Sequence, residues 1–318
     1  MIETVGLGKT FQGRRGRVDA VHGVDLAVRA GEIFGLIGPN GAGKTTTLRM
    51  LATLLAPSSG RASVAGADLF REPHEVRRRI GYVGQSGGTD PLMTARQELV
   101  IQGRVYGMNK ADAMARAAAS IGVFELSDFA DRPSGTYSGG QRRRLDLALG
   151  LVHGPQLVLL DEPTTGLDPQ SRAHLWDWVR RLRDEGTTVL LTTHYLDEAD
   201  SLSDRVAIID HGKIVAHGTP GELKRQIAGD VVLVGAVGGD PAVIRRLLAD
   251  QPYVREAEET TKPEVTRLYV QDGEESMAQI LKLLDASGFR LKSISLTRPS
   301  LDDVFLRQTG RSLRDAAG

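Results

Sequence analysis

The chain has 318 residues, 41% hydrophobic and 25% charged, an ordinary globular composition that excludes a disordered polypeptide. Forty basic and forty acidic side chains cancel, so no basic field points to nucleic acid. The absence of cysteine excludes disulfides and thiolate metal sites, and no apolar run approaches the roughly 20 residues of a bilayer span.

The first ten residues lack a basic stretch followed by an apolar one, so no secretory signal is expected and the chain is read as cytoplasmic. Ile33–Ile37 is a compact apolar run feeding a glycine-rich turn, with a helical pattern over Thr46–Leu55. From residue 86 to 154 the character turns helical. Ala111–Ile121 carries Met114, Ala118 and Ile121 at helical spacing, and Gly122 is expected to close it. Leu157–Leu160 and Val189–Thr192 read as buried strands, continuous apolar runs of the kind found where helices cover both faces of a parallel sheet. Val206–Ile209 and Lys213–His217 flank the turn His211-Gly212 as a hairpin. The class is therefore α/β over residues 1–228, with an inserted helical subdomain at about 86–154.

After Gly229 the pattern changes. Val231–Val234, Thr266–Val270 and Leu291–Leu296 read as strands. Pro241–Ala249 is a helix with proline in its first turn. Glu274–Ala286 places Met277, Ile280, Leu281 and Leu284 at i, i+3, i+4 and i+7. A last helix starts at Leu301, with Ser300 as N-cap and Asp303 at the third position. Residues 229–318 thus make a small α+β domain in which no chemistry shows. No internal repeat occurs, and the seven histidines are scattered without metal-ligand spacing.

The chemistry lies in the first domain. Gly38, Pro39, Asn40, Gly41, Ala42, Gly43, Lys44 and Thr45 fit G-x-x-x-x-G-K-[ST] in full, between a strand and a helix with Thr46 in its first turn. Glycines at 41 and 43 let successive amides turn inward as an anion nest, and the helix N-terminus adds partial positive charge. Lys44 reaches the β- and γ-phosphates of a bound triphosphate, and Thr45 offers its hydroxyl to Mg²⁺. An apolar strand ends in Asp161 and Glu162, placing one carboxylate to hold Mg²⁺ through water and the next to polarise an attacking water.

With Tyr137, Ser138, Gly139, Gly140 and Gln141 the sequence resembles the ABC ATPases, whose signature is LSGGQ; the resemblance spans roughly residues 1–228. Tyr137 replaces the usual leucine, at a position expected to pack rather than to touch phosphate. The resemblance implies a P-loop NTPase fold and a homodimer in which Ser138 to Gln141 of one copy close over ATP held by the other. It implies that Gln85 touches Mg²⁺ and water, that His194 bonds the γ-phosphate, and that Asp168, after Gly166-Leu167, lies where two subunits sense each other. Phe11 is the nearest aromatic for stacking adenine, with plain core as its other reading. The ending Arg298 to Leu306, together with the run after the signature from Arg142, Arg143 and Arg144 to Ala148, resembles the daunorubicin-resistance type of exporter ATPase. That resemblance implies a peripheral subunit on the cytoplasmic face of the membrane, a separate permease, and export of drug-like or lipid-like compounds. The three arginines read as a solvated helix face or, alternatively, as a contact with the membrane partner.

Two competitors are weighed. A soluble ABC ATPase acting on DNA or ribosomes calls for a long coiled coil, a second cassette or zinc cysteines, and none is in the sequence. An importer ATPase shares every core motif, and only the C-terminal ending argues against it.

Overall fold

The computed structural model describes residues 1–310 except 14, 15, 227, 228, 239, 261, 263 and 298. They form two compact units, residues 1–219 and 220–310.

The first unit opens with two long antiparallel strands, β1 (Ile2–Gly13) and β2 (Gly16–Val28). Val24, Leu26 and Val28 point inward at period two while the residues between them face water. Next come β3 (Ile33–Ile37), buried along its whole length, and α1 (Lys44–Leu51). Strands β4 (Ser59–Val64) and β5 (Ala67–Asp68) complete an antiparallel sheet in the order β2-β1-β4-β5. After α2 (Pro73–Arg79) and β6 (Ile80–Val83) the chain turns helical, with α3 (Ala95–Val105), α4 (Lys110–Val123) and α5 (Gly139–Leu151). Their starts are set by side chains. Thr94 with Gln97 and Ser138 with Gln141 form capping boxes, and Asn109 caps α4, each cap worth about 1 kcal/mol. α4 runs through Gly122 rather than stopping there, and the chain turns at Glu125, which adopts φ 53.

The sheet then resumes with β7 (Leu157–Asp161), α6 (Pro169–Asp184), β8 (Thr188–Thr193), α7 (Leu196–Leu202), β9 (Arg205–Asp210) and β10 (Lys213–Gly218). Its order is β10-β9-β3-β8-β7-β6. All neighbours are parallel except the β9–β10 hairpin at the edge. β3, β7 and β8 are buried at every position because helices or the first sheet cover both faces.

The second unit comprises α8 (Pro220–Gln226), β11 (Asp230–Val237), α9 (Pro241–Ala249), β12 (Val254–Glu259), β13 (Val265–Val270), α10 (Gly273–Ala286), β14 (Arg290–Thr297) and α11 (Leu301–Thr309). Its antiparallel sheet has the order β12-β13-β11-β14, the ferredoxin-like β-α-β-β-α-β arrangement with a helix added at each end. Val232, Val234, Leu268 and Val270 from the sheet pack with Ile244, Leu248, Ile280 and Leu284 from α9 and α10. Ser300 and Asp303 form the expected capping box of α11. The sequence pattern placed the division after residue 228; the compact units divide at Thr219 and Pro220, because α8 packs against α11.

Candidate active site

Strands β3, β8 and β7 lie side by side and parallel, so the residues leaving their carboxyl ends converge at one edge of the sheet. β3 delivers the turn from Gly38 to Gly43, β7 ends in Asp161 followed by Glu162, and β8 carries Thr192 and leads to His194. β6, beside β7, leads through Gly84 to Gln85.

Glycine is required at two points of the first turn. A Cβ on Gly38 would lie 2.1 Å from the carbonyl oxygen of Ile209 in β9. Gly43 takes φ 106, a left-handed conformation that side chains disfavour. No side chain caps α1 at Gly43, so the first amides of the helix remain available to an anion. Pro39 and Ala42 are buried, whereas Asn40 and Gly41 are exposed.

Lys44 is only 4% exposed. Its ammonium donates to the carbonyl oxygens of Gly38 at 2.7 Å and Pro39 at 3.1 Å, and stands 3.3 Å from Glu162 Oε1. Burial pushes the ammonium below its ordinary pKa, while Glu162 and then Asp161 oppose that shift. Asp161 is fully buried, and its Oδ1 accepts from the hydroxyls of Thr192 at 2.8 Å and Thr45 at 2.9 Å. Asp161 Oδ2 is also buried and has no protein partner.

Glu162 takes φ 44, and its amide donates to Thr192 Oγ1 at 2.9 Å. One of its oxygens, Oε2, accepts from Gln85 Nε2 at 3.2 Å and from the Thr165 hydroxyl at 3.3 Å, with His194 Nδ1 also 3.3 Å away. A single carboxylate thus gathers Lys44, Gln85, Thr165 and His194. Above these groups opens a cleft of about 540 Å³, lined also by Asn40, Gly41, Gly43, Thr45, Thr46 and Ala20.

The remaining candidates lie off this cleft. Phe11 sits on the β1–β2 hairpin opposite Val18, 40% exposed, with the Lys9 ammonium 5.2 Å from its ring centre. That exposure removes the plain-core reading, and Ala20 rather than Phe11 lines the cleft. Ser138 and Gly139 are exposed at the start of α5, beside Gly140 and Gln141. Tyr137 is buried beneath them, its hydroxyl donating to the Phe129 carbonyl at 2.6 Å, so it packs as expected. Asp168 caps α6 through the amide and hydroxyl of Ser171 at 2.9 and 2.7 Å.

The arginine cluster splits. Arg143 is 9% exposed and donates to the carbonyls of Pro163 at 2.8 Å and Gly84 at 2.7 Å, tying α5 to the loops that carry Glu162 and Gln85. A solvated-face reading therefore fails for Arg143. Arg144 pairs with Glu125 at 3.2 Å, and Arg142 is exposed. Thr192, Thr165 and Ala20 were missed from the sequence; the one available signal was the polar pair Thr192 and Thr193 closing an otherwise apolar run.

An uncapped helix start, a buried lysine and an orphaned carboxylate oxygen beside a threonine hydroxyl fit a phosphate chain with a hydrated cation. The described residues contain no group of three His, Asp or Glu able to hold a metal ion alone.

Comparison with known proteins agrees with this geometry. Residues 21–165 match the ABC transporter family, and residues 218–309 match the C-terminal domain of DrrA1-3-like ATP-binding proteins. The chain is 47% identical to the daunorubicin/doxorubicin resistance ATP-binding protein DrrA of Streptomyces peucetius, over 99% of this chain and 94% of that protein. It is 41% identical to a Nod factor export ATP-binding protein I of Burkholderia lata, over 93% of each. A solved dimer of an ATP-binding cassette in a post-hydrolysis state with ADP and Pi superposes with a TM-score of 0.64 at 26% identity, covering 69% of this chain and 98% of that one. No helix among the described residues is long and apolar enough to cross a membrane. The chain belongs to the ATP-binding proteins of ABC transporters, in the family of the daunorubicin- and doxorubicin-resistance ATPases.

Proposed function

We propose that two copies of this chain close head to tail over two ATP molecules, and that hydrolysis drives export of an amphipathic compound through a separate membrane protein. One observation carries the dimer. Lys44, Thr45, Glu162, Gln85 and His194 line one cleft with Asp161 buried behind Thr45, while the exposed loop at Ser138 and Gly139 lies off that cleft in the same chain. In this reading a second copy supplies the missing wall, and the solved cassette of similar fold is itself a dimer bound to ADP and Pi.

In this reading the amides from Gly41 to Thr46 cradle the phosphates, and Lys44 exchanges its carbonyl and Glu162 contacts for the β- and γ-oxygens. The Thr45 hydroxyl, Gln85 and, through water, Asp161 would hold Mg²⁺. When bound, Mg²⁺ draws negative charge from the phosphate oxygens. Glu162, freed of Lys44, accepts the proton of the attacking water, and His194 donates to the γ-phosphate. Ser138, Gly139, Gly140 and Gln141 of the second copy bring amides and a helix start to the same phosphate. Asp168 lies at the subunit contact, and Phe11 covers adenine from the hairpin tip.

Export rather than import is supported by the match of residues 218–309 to the DrrA-like C-terminal domain and by relatives named for drug resistance and Nod factor export. Residues 1–219 and 220–310 serve as motor and accessory domain, on the cytoplasmic face of the membrane beside the permease. The test is Glu162→Gln with ATP and Mg²⁺. A stable dimer with little phosphate release is expected; a protein that stays monomeric with its permease supplied, or hydrolyses at the wild-type rate, refutes the reading.

A further inference from the structure

A second cavity, of about 430 Å³, opens away from the phosphate cleft between the α4–α5 connection and α6. That volume suits a drug-sized molecule. Its wall on α6 is formed by His174, Trp178 and Arg181, which share one helix face at i, i+4 and i+7. Opposite stand Val123 and Phe124; the Phe124 and Trp178 rings meet at 4.4 Å between centroids, making an aromatic floor. Val123 is 61% exposed at the lip, an apolar side chain left to water.

The charges at the cavity do not cancel. Glu125 is engaged by Arg144 at 3.2 Å and Asp177 by Arg180 at 3.0 Å. Arg181 also lines the cavity, and among the described residues its guanidinium has no hydrogen-bond or ion-pair partner. An aromatic floor, an exposed apolar lip and the guanidinium of Arg181 define complementary chemistry: a flat apolar body carrying a negative group. We propose that this cavity binds an aromatic anion. The site also touches the start of α5, where a Cβ on Gly140 would lie 3.1 Å from Ser171 Oγ of α6, so an occupant bridges the signature helix and α6.

The probe is 8-anilino-1-naphthalenesulfonate, titrated into the full-length protein and followed by energy transfer from tryptophan. Saturable binding at one dye per chain is expected. Arg181→Ala raises the Kd roughly fivefold or more, the loss of one favourable charge contact, and Val123→Trp abolishes binding by filling the lip. The uncharged analogue N-phenyl-1-naphthylamine binds at least about fivefold more weakly than the sulfonate. Lys44→Ala, which disables the phosphate cleft, binds the dye as wild type does. Each variant is first shown to melt like the wild type. The proposal is overturned if folded Arg181→Ala and Val123→Trp bind normally, if the uncharged analogue binds equally well, or if Lys44→Ala loses the dye.

Discussion

Replacing Thr192 by valine changes almost no volume yet removes the hydroxyl joining the two acidic residues at the end of β7. That hydroxyl, fully buried, donates to Asp161 Oδ1 at 2.8 Å and accepts from the Glu162 amide at 2.9 Å. Valine leaves the Glu162 amide without its partner, at about 1–3 kcal/mol, and takes from Asp161 a charge-assisted bond worth about 1.5–3 kcal/mol net. Asp161 Oδ1 keeps Thr45, so the two losses do not add in full, and about 3 kcal/mol is expected. Glu162 holds a left-handed backbone at φ 44, which the amide bond to Thr192 secures. Its displacement lowers phosphate release roughly tenfold or more, since small misplacements of a catalytic group are expensive. Urea unfolding and steady-state phosphate release on Thr192→Val, with Thr192→Ser as the conservative control, check both numbers. Serine restores turnover and most of the stability. Valine within about 0.5 kcal/mol of wild type and turning over normally refutes the assigned role of this hydroxyl.

Further outcomes follow from other buried groups. Glu98 in α3 is 9% exposed, and burial, ahead of all other causes, raises its pKa from 4.5 to about 7. Its folded form holds a proton that its unfolded form releases, so its contribution to stability is fully present below pH 4.5 and is lost as pH rises through about 7. Glu98→Gln should remove that slope and gain about 3 kcal/mol over wild type at pH 8, measured by unfolding at pH 5, 6, 7 and 8; parallel wild-type and variant curves would contradict it. Gly38→Ala drives a Cβ into the Ile209 carbonyl, costs about 1–3 kcal/mol and weakens ATP binding, read by thermal melting and nucleotide titration. Tyr137→Phe loses a buried bond to the Phe129 carbonyl and should cost about 1 kcal/mol without altering ATP affinity, whereas leucine at this position also forfeits the edge contact with the Phe129 ring.

The parts of the fold that were legible in the sequence are those where burial writes an uninterrupted pattern. β3, β7 and β8 stood out as apolar runs because both their faces are covered, α10 because its apolar residues recur at helical spacing, and α11 because Ser300 and Asp303 mark its start. The β1–β2 hairpin did not stand out, since one face meets water and its register shifts at several points, which breaks the alternation. β12 was silent for the same reason: it is an edge strand whose Arg255, Glu256 and Glu259 face solvent. At the site, Lys44, Thr45, Asp161 and Glu162 were named because phosphate chemistry demands their residue types at fixed spacing. Thr192 was not, because its function is to hold neighbours across strands, and pairing between strands is not written in local sequence. Arg143 misled for a related reason, its buried carbonyl partners Pro163 and Gly84 lying far along the chain.

The central claim is that each ATP site is completed by the other copy, and mixing two inactive variants tests it most directly. Lys44→Ala spoils the phosphate loop and Ser138→Arg spoils the opposing loop, so neither homodimer has an intact site. An equal mixture forms heterodimers with one site made entirely of wild-type residues, and phosphate release should return to about a quarter of the wild-type rate. Activity no greater than that of the two separate variants, under conditions where wild-type copies associate, would contradict the account.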